Sequence, residues 1–364
     1  MKNQNPFPLY DYINSKYFCD RVTETERILS AVTNQRNIIL FSENGIGKTT
    51  LIKHVAKELK ELDNYRFVYV SLLKTESPGQ FINTLLESVF YSGKLQKEIK
   101  NILPDLSNIK NTNPSKSSKQ IIVPENIDFG VTLEKIFSFL EKKTKKIVLA
   151  IDEFQNITNC LSENDIKSLQ SVFAQSQNVS FILSSNKLGI FKTISEENIS
   201  KTEIIELQKI ERKKYFNFIK KRFTKEKIKI DKKSIEYILT WSKTNTFYTH
   251  YICNKIYNEG HKKINVNVVK TTIKNILKEY EYIFLGYKSL LSNYQWKLLA
   301  AIAKAGDEAK ITSIKFIEQY QLNAPSSVKT GINALIEKGL VVRKQRSYHL
   351  TNVFLEQWIE RFYN

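Results

Sequence analysis

The stretch Ser-Glu-Asn-Gly-Ile-Gly-Lys-Thr-Thr, residues 42–50, stands between an apolar run, NIILF (37–41), and a segment of helical periodicity, TLIKHVAKELKEL (50–62). It fits the phosphate-loop (Walker A) pattern G-x-x-x-x-G-K-[ST] except at the first position, which is Ser42. In such a loop consecutive backbone N–H groups converge on an anion at a helix N-terminus, and glycines let the backbone come close. Lys48 then reaches the β- and γ-phosphates, and the Thr49 hydroxyl serves Mg²⁺. The missing glycine mainly serves the turn out of the strand; serine is small and is expected to make that turn with some strain. A glycine-rich turn without a ligand would leave the Lys48-Thr49 pair unexplained. The residues assigned to the nucleotide phosphates are therefore Ser42, Glu43, Asn44, Gly45, Ile46, Gly47, Lys48, Thr49 and Thr50.

A strand that runs into such a loop and helix predicts a parallel α/β sheet. NIILF (37–41), RFVYVSL (66–72), KIVLAID (146–152) and VSFILSS (179–185) read as buried strands, and helix-period segments such as FINTLLESVFY lie between them. Strand–helix alternation places helices on both faces of a parallel sheet. The core domain is expected over 1–208. A mobile insertion is expected at about 92–126, where NTNPSKSSKQ is rich in Ser, Asn, Lys and Pro. From 209 to 286 only 3.6-residue spacing is read, in KKYFNFIKKRF, KKSIEYILTWS, FYTHYICNKIYN and NVVKTTIKNILKEYEYIF, which predicts an all-helical lid domain. Residues 287–364 read as helix, helix–turn–helix and two short strands, LVVRKQ and RSYHLT, which is the winged-helix order.

Past the loop, the strand KIVLAID ends in a carboxylate, and a second one follows. Neighbouring side chains on a strand point to opposite sides. Asp152 is assigned to the metal, with Thr49, and Glu153 to the water that attacks phosphorus. Alone, an Asp-Glu pair at a strand end reads equally well as a helix N-cap; after a phosphate loop it reads as the acidic (Walker B) site. The catalytic set is then Glu153, Asp152 and Lys48. The strand FILSSNK ends in Ser184, Ser185 and Asn186, of which Ser185 and Asn186 are assigned to the γ-phosphate or the water. A plain turn with capping residues is the alternative there.

These motifs resemble the archaeal-type AAA ATPases, additional-strand P-loop NTPases related to the STAND and origin-recognition ATPases. FCDRVTETERIL (18–29) is similar to the family's F-x-x-R-x-x-E element, on Arg21 and Glu24, and GIGKTTL has the form common in STAND ATPases. IDEFQ matches the family's acidic strand through Phe154 and Gln155. TNTFYTHYI (244–252) sits where the family has a Gly-His-Pro or Gly-Asn-Pro element opening a lid helix, but it lacks both glycine and proline. SLLSNYQWKLLAAIAKA through LTNVFLEQWIERF resembles the C-terminal winged helix with its closing aromatic helix. The resemblance covers nearly the whole chain. It implies ATP and Mg²⁺ as cofactors, and Arg21 beside the nucleotide base. ISEENISKTEIIEL has no arginine where the family commonly has one. Lys192 and Lys201 lie nearby, but a lysine cannot fork across phosphate oxygens. Slow or partner-assisted hydrolysis follows.

Composition narrows the partner. The formal net charge is +19, unevenly spread: residues 1–208 hold 26 Lys/Arg against 24 Asp/Glu, residues 209–280 hold 19 against 6, and residues 287–364 hold 11 against 6. A basic C-terminal half suggests a polyanion, nucleic acid first; lysine-decorated helix surfaces are the bland alternative. Nucleic-acid candidates are Lys329 on the second helix of the helix–turn–helix and Arg343, Lys344 and Arg346 on the wing. Three dispersed cysteines and four scattered histidines suggest neither a disulfide framework nor a zinc site. With no signal-like start and no membrane-length apolar run, the chain is expected to be cytoplasmic, without a membrane partner. Three functions stay open: an ATP-hydrolysing switch whose lid and winged helix engage a partner, a DNA-binding winged-helix protein with a structural or slowly turned-over nucleotide, and a protein-interaction ATPase module. Double-stranded DNA, a partner protein and a second copy of the chain are the partners they imply.

Overall fold

A computed structural model describes residues 4–9, 12–90, 103, 127–193, 202–306, 310–344 and 347–363. The insertion expected at about 92–126 lies outside the described residues except for Leu103, which is buried in the core. Contacts divide the chain into two compact units, Asp11–Lys209, and Met1–Tyr10 with Ile210–Asn364.

The first unit is built on β1 (Asn37–Phe41), β2 (Tyr65–Ser71), β3 (Lys146–Asp152), β4 (Val179–Ser185) and β5 (Thr202–Glu206). All pair in parallel, in the order β2-β3-β4-β1-β5. Alternation along the strands feeds two cores. Ile147, Leu149 and Ile151 of β3 join Phe81, Phe137 and Phe181 on one face, while Val148 and Ala150 join Leu51, Val55 and Ile182 on the other. Burial on both faces is why these strands read as continuous apolar runs. β5 was not among the expected strands. It is an edge strand in which only Ile205 is buried, while Ile204 turns outward and is 47% exposed. Register sets up the site. β4 separates β1 from β3, with Phe41 opposite Ser185 and Ser71 opposite Asp152, so the loop after β1 and the acids after β3 emerge at the same sheet edge.

In the second unit, helices Arg212–Lys225, Lys232–Trp241, Thr246–Asn258 and Val266–Leu290 form the bundle. The region is not purely helical as expected: β6 (Lys229–Ile230) and β7 (Lys263–Ile264) pair in parallel. Two residues are too few to show a strand's period. Helices Asn293–Ala305, Ile314–Gln319 and Pro325–Glu337, the antiparallel pair β8 (Val341–Lys344) and β9 (Ser347–Leu350), and helix Val353–Phe362 complete a winged helix. Position 286 falls inside the 25-residue helix Val266–Leu290. The last helix packs back on the bundle: the Phe354 ring meets Tyr248 at 4.7 Å, Tyr251 at 5.3 Å and Tyr280 at 5.4 Å. Lys243 pairs there with Glu356 at 2.8 Å, and Glu356 is buried. No helix among the described residues is long and apolar enough to cross a membrane.

The N-terminal segment also belongs to this unit. Phe7 is fully buried against Phe223 and Phe218, Asn254 Nδ2 donates to the Phe7 carbonyl at 2.7 Å, and His250 Nδ1 lies 3.2 Å from the Pro8 carbonyl. Burial pushes His250 down to about 4; the Pro8 bond opposes this and nearby Arg222 adds to it. An unfolded chain takes that proton near pH 6.5. The stability carried by neutral His250 is therefore full above that pH and is lost as pH falls toward 4. Acidification over this window is expected to cost about 3 kcal/mol through this one residue. Thermal melts between pH 7 and 4 check it: His250→Asn should show a visibly shallower decline than wild type.

Candidate active site

β1 delivers the chain into the loop at Ser42, which is buried and whose N–H donates to the Ser185 carbonyl at 3.3 Å. The turn toward helix Lys48–Lys60 is made by Gly45 at φ 77° and Gly47 at φ 107°, a region that L side chains enter only with strain. Ser42 has no left-handed φ, so the strain expected from its replacing a glycine is absent. Its hydroxyl instead donates to the Glu43 carbonyl at 2.9 Å. Lys48 is buried, and its Nζ donates to Ser42 O at 2.9 Å and to Ser42 Oγ and Glu43 O at 3.3 Å. Burial lowers the Lys48 pKa, against the opposing pull of Glu153, Asp152 and Glu43. Glu43 and Asn44 are exposed at the loop tip, Ile46 is buried beneath it, and Thr49 and Thr50 begin the helix half-buried. Arg21 is buried too, with φ 74°. Its guanidinium bonds Glu24 at 2.7 Å and the Ile46 carbonyl at 3.2 Å, which braces the loop from below.

Asp152, 1% exposed at the end of β3, is ringed by donors. Its Oδ2 accepts from Thr49 Oγ1 at 2.6 Å and from Tyr69 OH at 2.8 Å; its Oδ1 accepts from Ser184 Oγ and from Glu153 N–H at 3.0 Å. Burial, reinforced by Asp152, holds the Tyr69 phenol protonated far above its ordinary range. Tyr69 and Ser184 are absent from the set assigned from sequence. The signal for Ser184 was strand parity, since it lies on β4 beside the acid strand; Tyr69 had none beyond its place near the end of β2. Ser185 turns the other way, its Oγ donating to Lys187 O at 3.1 Å and accepting from Lys187 N–H at 3.0 Å. Asn186 does approach the loop, with Nδ2 donating to Asn44 Oδ1 at 2.9 Å.

Thr49 and Asp152 present hard oxygen donors beside a phosphate loop. Among the described residues no group of three or more His, Cys, Asp or Glu could cage a metal. A site completed by phosphate oxygens and water is the habit of Mg²⁺, so the residues fit that ion.

Elsewhere, Asn245 caps helix Thr246–Asn258, accepting from Phe247 N–H at 3.1 Å and Tyr248 N–H at 3.4 Å. Lys329 is exposed on helix Pro325–Glu337, and Arg343 is exposed on β8 with its guanidinium carbon 5.8 Å from the Tyr348 ring. Lys344 is half-buried; Arg346 and Lys201 lie outside the described residues, as does the Lys192 side chain.

Residues 18–249, more than half of the chain, match the model of an ATPase domain found predominantly in Archaea, and residues 282–361 match a probable winged helix domain. An uncharacterised ATP-binding protein of Methanocaldococcus jannaschii is 30% identical over 162 residues, which cover 40% of this chain and 45% of that protein. The match thus spans less than half of the relative's length. Among solved structures, a Walker-type ATPase of Pyrococcus abyssi superposes with a TM-score of 0.68 at 13% identity, over 97% of this chain and 99% of that one. The ORC2 protein of Aeropyrum pernix, solved as ADPNP and ADP complexes, gives a TM-score of 0.64 at 14% identity over 99% and 96%. The ORC1 protein of the same organism, solved with DNA, gives 0.54 at 13% over 95% and 93%. At such identities the structures speak for the fold.

Proposed function

The chain belongs to the family of ATPase domains found predominantly in Archaea, and from that premise we propose that it binds ATP with Mg²⁺ and hydrolyses it as a molecular switch. One observation carries the reading: Thr49 and Asp152, 103 positions apart in sequence, stand 2.6 Å apart at the sheet edge where the phosphate loop ends. The names of relatives agree, one being an ATP-binding protein and another a protein solved with adenine nucleotides.

In this reading Ser42 to Thr50 cradle the phosphates, Arg21 supports the loop, and Asn186 borders the terminal phosphate, while Ser185, whose hydroxyl is turned to Lys187, holds the turn behind it. Lys48 exchanges the loop carbonyls for phosphate oxygens. Thr49 and Asp152 would hold Mg²⁺, which when bound supplies positive charge to the phosphate oxygens. Glu153 orients the attacking water and takes its proton as the water oxygen bonds to the γ-phosphorus. The bond from phosphorus to the bridging oxygen breaks with its electron pair left on ADP. The core over 1–208, the lid over 209–286 and the winged helix over 287–364 are proposed as the working parts, with lid and winged helix acting together because they share one compact unit.

We infer double-stranded DNA as the partner of the basic C-terminal half, where residues 209–280 hold 19 Lys/Arg against 6 Asp/Glu and residues 287–364 hold 11 against 6. Lys213, Lys214, Lys220 and Lys221 are exposed on helix Arg212–Lys225. Contacts to phosphate would dominate, since Lys329 is a thin basis for reading bases on its helix. Titrating the ATPase rate and DNA affinity against salt tests this. Affinity should fall with a log–log slope of about −0.9 per phosphate neutralised, and Arg343, Lys344 and Arg346 replaced together by alanine should flatten the slope by roughly two to three units. No binding to duplex DNA at ~50 mM salt, where screening is weak, would turn the reading to a protein partner or a second copy of the chain.

A further inference from the structure

Glu153 leaves β3 with φ 58°, and the chain turns at once into the short helical turn Phe154–Asn156. The turn is fixed at both flanks. Phe154 is buried and stacks on Phe191 with centroids 5.9 Å apart, and Asn156 Nδ2 donates to the Leu72 carbonyl at 3.1 Å. Between these anchors the Gln155 side chain folds back, and its Nε2 donates to Glu153 Oε2. Its Oε1 accepts from the Asn186 N–H at 3.3 Å. Asn186 Nδ2 in turn donates to Asn44 Oδ1, at the tip of the phosphate loop.

The polarity of this chain is forced. A flipped Gln155 amide would set oxygen against a carboxylate and NH₂ against an N–H, so only one orientation satisfies both neighbours. Asn186 Oδ1 is buried without a hydrogen-bond partner, which leaves an acceptor for a donor that arrives with substrate. We propose that Gln155 is a positioning residue: it orients the Glu153 carboxylate for its work on the water and ties that orientation, through Asn186, to Asn44 of the loop. A nucleotide that settles on the loop moves Asn44 and is felt at Glu153 by way of two amides. The proposal rests on Glu153 being the base.

Two variants test it. Gln155→Leu keeps bulk and removes both hydrogen bonds; kcat for ATP should fall roughly 10- to 100-fold, the scale of a misplaced reacting group. Its nucleotide Kd, read by a fluorescent ATP analogue, should stay within about 2-fold, because only the transition state loses. Gln155→Glu keeps the acceptor for Asn186 but faces Glu153 with a like charge in place of the N–H donor, so its kcat should fall at least as far as that of Gln155→Leu. Wild-type turnover in either variant, or a loss of affinity and melting temperature that matches the loss of rate, would overturn the positioning role. Glu153→Gln separates the two readings. If it is slow while Gln155→Leu is not, only the role of Gln155 falls; if it turns over like wild type, the base assignment itself falls.

Discussion

Glu153→Gln is expected to bind ATP with near wild-type affinity and to hydrolyse it on the order of 10²-fold or more slowly. The amide is nearly the shape of the carboxylate and can still hydrogen-bond a water, but it cannot take the proton. The structure limits side effects. Glu153 is only half-buried, and in the variant the amide oxygen can take the place of Oε2 as acceptor from Gln155, while the backbone N–H at 153 still serves Asp152. Asp152→Asn is a different experiment. That carboxylate takes three hydroxyl donors and an N–H, two on each oxygen, and an amide must turn its NH₂ toward one pair of them. Its defect should appear as altered Mg²⁺ dependence. Single-turnover and steady-state rates on purified protein check both, and equal turnover in Glu153→Gln and wild type would mean that another residue activates the water.

The contrast between these neighbouring acids was legible early because the motif puts them at one strand end, but strand parity is not what parts them: β3 ends at Asp152, and the left-handed turn at Glu153 sends the second carboxylate to Gln155. The strands that frame them were legible for a related reason: β1, β3 and β4 are buried on both faces, so each reads as an unbroken apolar run. β5 shows the limit. An edge strand has one wet side, and Thr-Glu-Ile-Ile-Glu carries too little apolar signal to stand out. Tyr69 shows a second limit, because its bond to Asp152 depends on which strand lies next to β3, and adjacency in a parallel sheet is set by crossovers far apart in sequence. The placement of Phe7 with the C-terminal unit is of the same kind: it lies between two prolines with no periodic apolar pattern around it, and nothing local announces that Phe218, Phe223 and His250 form its socket.

Lys48→Ala is expected to weaken ATP binding roughly 10- to 100-fold or more, the worth of one or two charge-assisted bonds to phosphate. The folded protein should tolerate it. Lys48 is a desolvated cation resting on Ser42 and Glu43 oxygens, so its removal takes away a buried charge at the cost of those bonds. The melting temperature without nucleotide should therefore change little, while the rise in melting temperature that ATP produces in wild type, which follows from binding the folded state alone, should nearly vanish. Ser42→Gly is the companion. It restores the common loop pattern, but Ser42 already lies outside the left-handed region, so there is no strain to relieve. It removes one Lys48 contact at 3.3 Å and the bond to the Glu43 carbonyl, leaving the main-chain acceptor at 2.9 Å in place. ATP affinity within about 3-fold of wild type is expected, since a lost neutral hydrogen bond nets on the order of 0.5–1.5 kcal/mol and the lysine is freed from one competitor. Fluorescent-ATP titration decides both: a Lys48→Ala protein that binds as tightly as wild type places the nucleotide elsewhere, and a Ser42→Gly protein that loses binding makes the serine hydroxyl part of the phosphate cradle.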